Sequence, residues 1–220
     1  MEVKLKKPIL DFNDRLAKEN RELVRQHGIY VLDLLASPGA GKTSLILATI
    51  EALAGTYRIA VIEGDIASDV DAVKIKETGT SAVQINTGGA CHLEAAMVAR
   101  ALKALELDKL DLIIIENVGN LVCPTDFDLG EDAKAMILSV PEGHDKPLKY
   151  PGVFQAAKAV VLGKIDTMPY FDFDEGAFKQ SLGQLNPHAL LFSLSAKTRE
   201  GVHEWAQWLV NQIEEKKSCN

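Results

Sequence analysis

The run Ala36-Ser37-Pro38-Gly39-Ala40-Gly41-Lys42-Thr43 stands between an apolar stretch and a stretch of helical period, the setting of a Walker A phosphate loop. Gly39 and Gly41 let backbone amides turn toward phosphate oxygens, Lys42 brings a point charge to the β and γ phosphates, and the Thr43 hydroxyl is a ligand type for Mg²⁺. Gly39, Ala40, Gly41, Lys42, Thr43 and Ser44 are therefore the expected nucleotide-binding residues, although Ala36 stands where the usual pattern begins with glycine. The next apolar run ends at Glu63-Gly64-Asp65, and Asp69 and Asp71 follow it. Carboxylates at the end of a strand hold Mg²⁺ or orient a hydrolytic water. A further run ends at Glu116-Asn117-Val118-Gly119, an acid with glycine three residues on, the pattern of a loop that senses a γ-phosphate. Lys42, Asp65 and Glu116 are the expected catalytic residues.

A base-recognition pattern comes late in the chain. Gly163-Lys164-Ile165-Asp166 matches N-K-x-D except at its first position, and Ser195-Ala196-Lys197 follows one strand later. A carboxylate at Asp166 accepts a bidentate pair from guanine N1 and N2, which adenine does not offer, while the stem of Lys164 lies over the base. The expected nucleotide is thus GTP or GDP, held also by Ser195, Ala196 and Lys197.

Cys91 and His92 form a second constellation, set in Thr87-Gly88-Gly89-Ala90-Cys91-His92-Leu93-Glu94 before a helical stretch, with Cys123 in the polar loop Asn120-Leu121-Val122-Cys123-Pro124. One imidazole and two thiolates suit Ni²⁺ or Zn²⁺, and a nearby helix start is expected to lower the Cys91 pKa. Three donors leave a tetrahedral site open, to be closed by water, a transferred ligand or a second subunit. Cys219 reads as a free thiol. His27, His144, His188 and His203 lack paired spacing and read as solvated.

The elements that must position these groups alternate in period. Short apolar runs at 30–36, 58–63, 82–86, 110–116, 135–140, 159–162 and 189–194 read as buried strands, and 43–54, 69–77, 93–105, 175–185 and 202–216 read as helices. Alternation of this kind predicts an α/β fold, a mainly parallel sheet with helices on both faces. Residues 1–28 are expected to form a segment with an exposed amphipathic helix from Asp11 to Gly28, and 29–220 a single P-loop domain. The stretches 118–131 and 141–151 read as long loops of functional type.

The 220 residues are 47% apolar and 25% charged, enough for one core, with 24 Lys+Arg against 31 Asp+Glu and a formal charge of −7. That balance disfavours nucleic acid and anionic membranes as partners. Apolar runs fall well short of a bilayer span, no signal-peptide pattern opens the chain, and three cysteines do not make a disulfide framework, so a cytoplasmic protein is expected.

Taken together, ASPGAGKTSL, IEGDIASDVDA, INTGGACHLEAA, IIIENVGNLVCPTDFDLGE, PEGHDKPLKYPGVF and KIDTMPYFDFD resemble the HypB family, GTPases that assist nickel insertion into [NiFe] hydrogenases. The likeness runs from about Val31 to Gly201. It implies GTP hydrolysis, a homodimer promoted by GTP, and a metal site at Cys91, His92 and Cys123. It also implies Mg²⁺ bound by Thr43 with Asp71 and Glu116, and two partners: a HypA-type nickel metallochaperone and the hydrogenase large subunit. Unlike some members, this chain carries no cysteine-rich or histidine-rich stretch near its start, and Gly163 replaces the asparagine of the base loop. Urease-type nickel GTPases carry Cys-Pro-His where Cys91 and His92 are adjacent. A small-molecule kinase would leave the Cys-His pair idle, and a metal-binding adaptor would not need the intact Lys42 and Thr43.

Overall fold

β-branched and leucine-rich segments form seven parallel strands in the order β3-β2-β4-β1-β5-β6-β7; the five inner strands are buried, whereas 82–86 and 189–194, expected to be buried, fall in edge strands paired on only one side and are partly exposed. The strands are β1 (Tyr30–Ala36), β2 (Ile59–Asp65), β3 (Ser81–Asn86), β4 (Leu112–Glu116), β5 (Ala133–Ser139), β6 (Ala159–Gly163) and β7 (Leu190–Ser193). The computed structural model describes residues 6–65 and 70–219. Its helices are α1 (Lys6–Gln26), α2 (Lys42–Leu53), α3 (Val70–Glu77), α4 (Ala95–Leu102), α5 (Lys146–Lys149), α6 (Pro151–Ala156), α7 (Glu175–Leu185) and α8 (Val202–Ser218). From central β1 the chain moves out to β2 and β3, returns to insert β4 beside β1, then builds β5 to β7 on the other side. Every strand points the same way, so every ligand-bearing loop leaves the same edge.

The core follows the two-residue period of the strands. Leu32 and Leu34 of β1 pack under α2 and α8, against Leu45, Ile46, Trp205 and Leu209. On the opposite face Val31, Ile62 and Ile113 meet α1 and α4, while Leu35, Met136 and Val160 meet α6 and α7. Strand and helix positions follow the sequence pattern closely, and two segments depart from it. Residues 141–151 contain α5 and the start of α6, because Pro147 and Pro151 occupy first-turn positions. There a missing N–H costs nothing and the fixed φ favours the helix.

The second departure is α1, which is docked rather than exposed. Its inner stripe is Asn13, Ala17, Asn20 and Val24, all buried. Asn20 Nδ2 donates to the carbonyls of Ala95 at 2.9 Å and Leu129 at 3.0 Å. Asn13 Nδ2 donates to Asp128 O at 2.7 Å, and its Oδ1 accepts the Ala95 amide at 2.9 Å. Gly130, at φ +94°, lies so close that a Cβ there would fall 2.6 Å from Asn20 Cβ. Two asparagines thus tie the N-terminal helix to α4 and to the loop before β5.

Asn20→Ala removes one donor from two buried carbonyls and should lower unfolding stability by about 1–3 kcal/mol. Urea denaturation reads this as a lower midpoint at constant slope; an unchanged midpoint would mean that α1 is not anchored at this point.

Candidate nucleotide and metal site

The loop between β1 and α2 has the shape that its glycines permit. Gly39 and Gly41 sit at φ +74° and +110°, and Gly41 is the residue that precedes the helix. L side chains rarely adopt these values. Lys42, Thr43 and Ser44 open α2, so their amides belong to the positive end of a twelve-residue helix. Thr43 Oγ1 donates to Glu116 Oε1 at 3.1 Å, and Lys42 Nζ lies 4.0 Å from the same oxygen.

Lys42, Asp65 and Glu116 converge on one pocket of about 270 Å³ beyond the ends of β2 and β4. Glu63, not singled out from the sequence, is buried in the same place and is the register partner of Glu116 across β2 and β4. An acid buried in an otherwise apolar strand was the available signal. Thr43 and Glu116 supply adjacent hydroxyl and carboxylate oxygens, the donor type that Mg²⁺ takes. Asp69 and the side chain of Asp71 lie outside the described residues.

Gly119 closes the pocket against the phosphate loop. A Cβ at this residue would stand 2.9 Å from both Pro38 N and Pro38 Cγ. Its φ is not left-handed, so the glycine is needed for close approach, not for backbone freedom.

A second cleft, also about 270 Å³, lies between β6 and β7 and is lined by Gly41, Ser44, Lys164, Asp166, Ala196 and Lys197. The base-loop residues expected from the sequence are therefore brought together beside the phosphate loop. Lys164, itself left-handed at φ 58°, donates from Nζ to Gly39 O at 2.7 Å. Buried Ser195 donates from Oγ to Asp166 Oδ1 at 2.7 Å, orienting the carboxylate, and accepts the Thr198 amide at 3.1 Å. A Cβ on Gly163 would make only ordinary contacts, the nearest at 3.7 Å. A wider cavity, about 820 Å³, opens at the other end of the strands beside Arg58, Thr78 and Lys109, away from all of these motifs.

Cys91, His92 and Cys123 meet across the loops that follow β3 and β4. One donor atom from each lies within 4.8 Å of the other two, the group among the described residues that is spaced to hold a metal ion. Bond lengths of about 2.0–2.3 Å allow two donors of one ion to be at most ~4.6 Å apart, so small side-chain rotations close this set. Cys91 Sγ is 3.6 Å from His92 Nδ1. The buried His92 Nε2 has no hydrogen bond, and the ring stacks on Phe127 at 3.9 Å between centroids. Asn120 ties the two loops, donating from Nδ2 to Cys91 O at 3.4 Å and accepting the Val122 amide at 2.8 Å.

The Cys91 pKa departs from expectation in sign. A hydrogen bond with Cys123, then burial and thiolate repulsion, push it above its ordinary value. Cys91 also precedes α4 by several residues, with Glu94 as the N-cap, so the helix dipole does not dominate. Cys219 is exposed and apart from the cluster. His27 pairs with Asp108 at 2.9 Å, and His144 meets Phe173 edge-on.

Residues 31–193 match the family model described as CobW/HypB/UreG, nucleotide-binding domain. The hydrogenase maturation factor HypB of Azotobacter chroococcum mcd 1 is 49% identical over 210 residues, covering 96% of this chain and 69% of that protein. Among solved structures, HypB from Archaeoglobus fulgidus superposes with a TM-score of 0.87 at 37% identity, covering 93% of this chain and 100% of that one. HypB from Helicobacter pylori, solved in complex with nickel, gives a TM-score of 0.89 at 40% identity, covering 93% and 96%.

Gly119→Ala should push the loop after β4 away from Pro38 and weaken binding of a nucleoside triphosphate by tenfold or more, with far less effect on the diphosphate. Calorimetric titration of both nucleotides decides it; equal affinities for parent and variant would mean that this contact does not shape the phosphate pocket.

Proposed function

The chain belongs to the HypB family of hydrogenase maturation factors, and from that premise we propose that it is a GTP-hydrolysing nickel carrier whose nucleotide state governs a Cys/His metal site. One observation carries the reading. Cys123 follows closely on the Asn117–Gly119 loop that lines the phosphate pocket, and it meets Cys91 and His92 within 4.8 Å. Nickel here is cargo, and the donors suit it as a borderline-soft ion.

Guanine selection rests on Asp166, which Ser195 braces through one oxygen. Lys164 and the phosphate loop are joined through Gly39, so base and phosphates bind to one connected frame. Lys42 and the amides of the loop stabilise charge on the transferring phosphoryl group. Thr43 and Glu116 would hold Mg²⁺, which would supply positive charge against the phosphates. Asp65 orients water for attack on the γ phosphorus; the new P–O bond forms as the bond to the bridging oxygen breaks, giving GDP and phosphate.

A loop that touches the γ-phosphate shifts when that phosphate leaves, and Cys123 lies only a few residues past Gly119. Three donors leave a coordination position open, which a second copy of the chain fills in the triphosphate-bound dimer. Hydrolysis loosens that assembly and releases the ion toward the hydrogenase large subunit, with a HypA-type metallochaperone as partner in the transfer. The same donors take Zn²⁺, which competes for the site.

The test is the mass of the assembly and its Ni²⁺ affinity, measured with GDP and with a non-hydrolysable GTP analogue plus Mg²⁺. A dimer with the analogue and at least about a fivefold change in affinity are expected, lost in Cys91→Ala and Cys123→Ala. A monomer in both states, or cysteine variants that bind nickel as the parent does, would refute the reading.

Asp166→Asn should exchange guanine preference for xanthine, because an amide donor then faces the base where a carboxylate accepted. Gly163→Asn, which the contacts around Gly163 accommodate, should tighten GTP by about 1 kcal/mol, one hydrogen bond. Competition binding with GTP, XTP and ATP reads both, and unaltered preference in the Asp166 variant would remove this residue from base recognition.

A further inference from the structure

Asp33 is the one charged residue of β1, and its side chain is fully buried. Oδ1 accepts from Asn117 Nδ2 at 3.1 Å, and Oδ2 accepts from Lys134 Nζ at 2.9 Å. Both arms lead to the metal loop. Asn117 Oδ1 accepts the buried Leu93 amide at 3.2 Å, next to His92, and the amide of Val118 at 3.0 Å. Lys134 also donates to the carbonyl of Phe127 at 2.9 Å, and the Phe127 ring stacks on His92.

The side chain of Leu93 adds a third attachment. It is fully buried against Gly64 at the end of β2, where a Cβ would come within 2.8 Å. The stretch that carries Cys91 and His92 is thereby pinned to the residue between Glu63 and Asp65. Asn117 itself follows Glu116, which accepts from Thr43, and it precedes Val118 and Gly119. Its own amide donates to Leu34 O at 3.2 Å, just before the phosphate loop.

We propose that Asn117 is a positioning residue that passes the state of the phosphate pocket to the Cys91–His92 loop, with the buried Asp33–Lys134 pair as its fixed anchor. One carbonyl oxygen serves two amides, one on each side: Val118 in the loop facing the γ-phosphate and Leu93 in the loop bearing the metal ligands. A displacement of Val118 turns or shifts that oxygen, and the buried Leu93 amide must follow or lose its acceptor. Asp33 holds the other end of the amide, so the side chain pivots instead of drifting. This inference rests on the proposed coupling of nucleotide and metal.

The experiment measures the Ni²⁺ dissociation constant of the full chain with GDP and with a non-hydrolysable GTP analogue, for the parent and for Asn117→Ala. The ratio of the two constants is internal to each protein, so a uniform loss of affinity does not imitate the effect. A parent ratio of fivefold or more that falls to within twofold of one in the variant is the expected result. A variant ratio equal to the parent's would overturn the role of Asn117 while leaving the coupling intact; a parent ratio of one would overturn the coupling and this role with it. Should Asn117→Ala not fold, hydrogen exchange at the Leu93 amide of the parent decides, with different protection in the two nucleotide states expected and equal protection overturning the proposal.

Discussion

A carboxylate in the middle of the central strand constrains much of this molecule. Asp33 interrupts the apolar face of β1 between Val31 and Leu35, and the core on that face divides into two clusters on either side of it. A charge in such a place must be paired and hydrogen-bonded, because removing one partner of a buried pair costs about 3–5 kcal/mol. Lys134 from β5 supplies the pair, and it also lies 2.9 Å from Glu131. Burial alone would lower the Lys134 pKa, but the two carboxylates outweigh it and hold the ammonium above its ordinary range. The loop leading into β5 and the loop leaving β4 are thus both referred to one atom group on the strand that carries the phosphate loop.

The geometry around that point follows from a parallel sheet with β1 in the middle. The ends of β1, β2 and β4 place Lys42, Asp65 and Glu116 around one pocket, and the ends of β6 and β7 place Asp166 and Ser195 beside it. The candidate metal donors come from further out. β3 is an edge strand and is separated from β4 by β2, so the loop after β3 must cross the end of β2 to reach Cys123. Leu93 makes that crossing, and Gly64 has no side chain to obstruct it. Cys91 and Cys123 both leave carboxyl ends of strands, as the sequence suggests, and the strand order brings them together.

Much of the fold was legible because strands buried on both faces and the strand-to-glycine-loop-to-helix transition leave strong local signatures. The runs that line the phosphate pocket and the cleft beside it were legible for the same reason, since each is short and local. What escaped was polar and non-local. The stretch from Asp11 to Gly28 reads as an exposed helix, yet Asn13 and Asn20 are on the inner face of α1, because their partners are carbonyls far away in sequence. The stretch 141–151 reads as a long loop, yet Pro147 and Pro151 stand in first turns of helices there. The Cys91 pKa was misjudged in sign, since the proximity of Cys123 is a tertiary fact. Asp33 in YVLDLLA was the signal left unread: an acid in an otherwise apolar central strand announces a buried partner without naming it.

The contrast between rigid and adjustable parts bears on how such a site can both hold an ion and give it up. Asp33 and the ends of β1 and β4 are buried and Lys134 nearly so, and packed cores change by discrete rearrangement more readily than by continuous deformation. The metal donors sit outside that core, on loops, with Cys91 exposed and the donor set one ligand short of a tetrahedron. A closed four-ligand site would favour retention, and three unsupported loop donors would favour loss. Here all three are steadied from behind, His92 by Phe127 and the Leu93 amide bond, Cys91 and Cys123 by Asn120, while the open side remains accessible to a further ligand. On the proposed reading, the free energy that distinguishes holding from release resides in few contacts, those between the γ-phosphate loop and the amide of Leu93. The interior anchor at Asp33 makes a small movement there consequential, because the displacement cannot dissipate into the sheet.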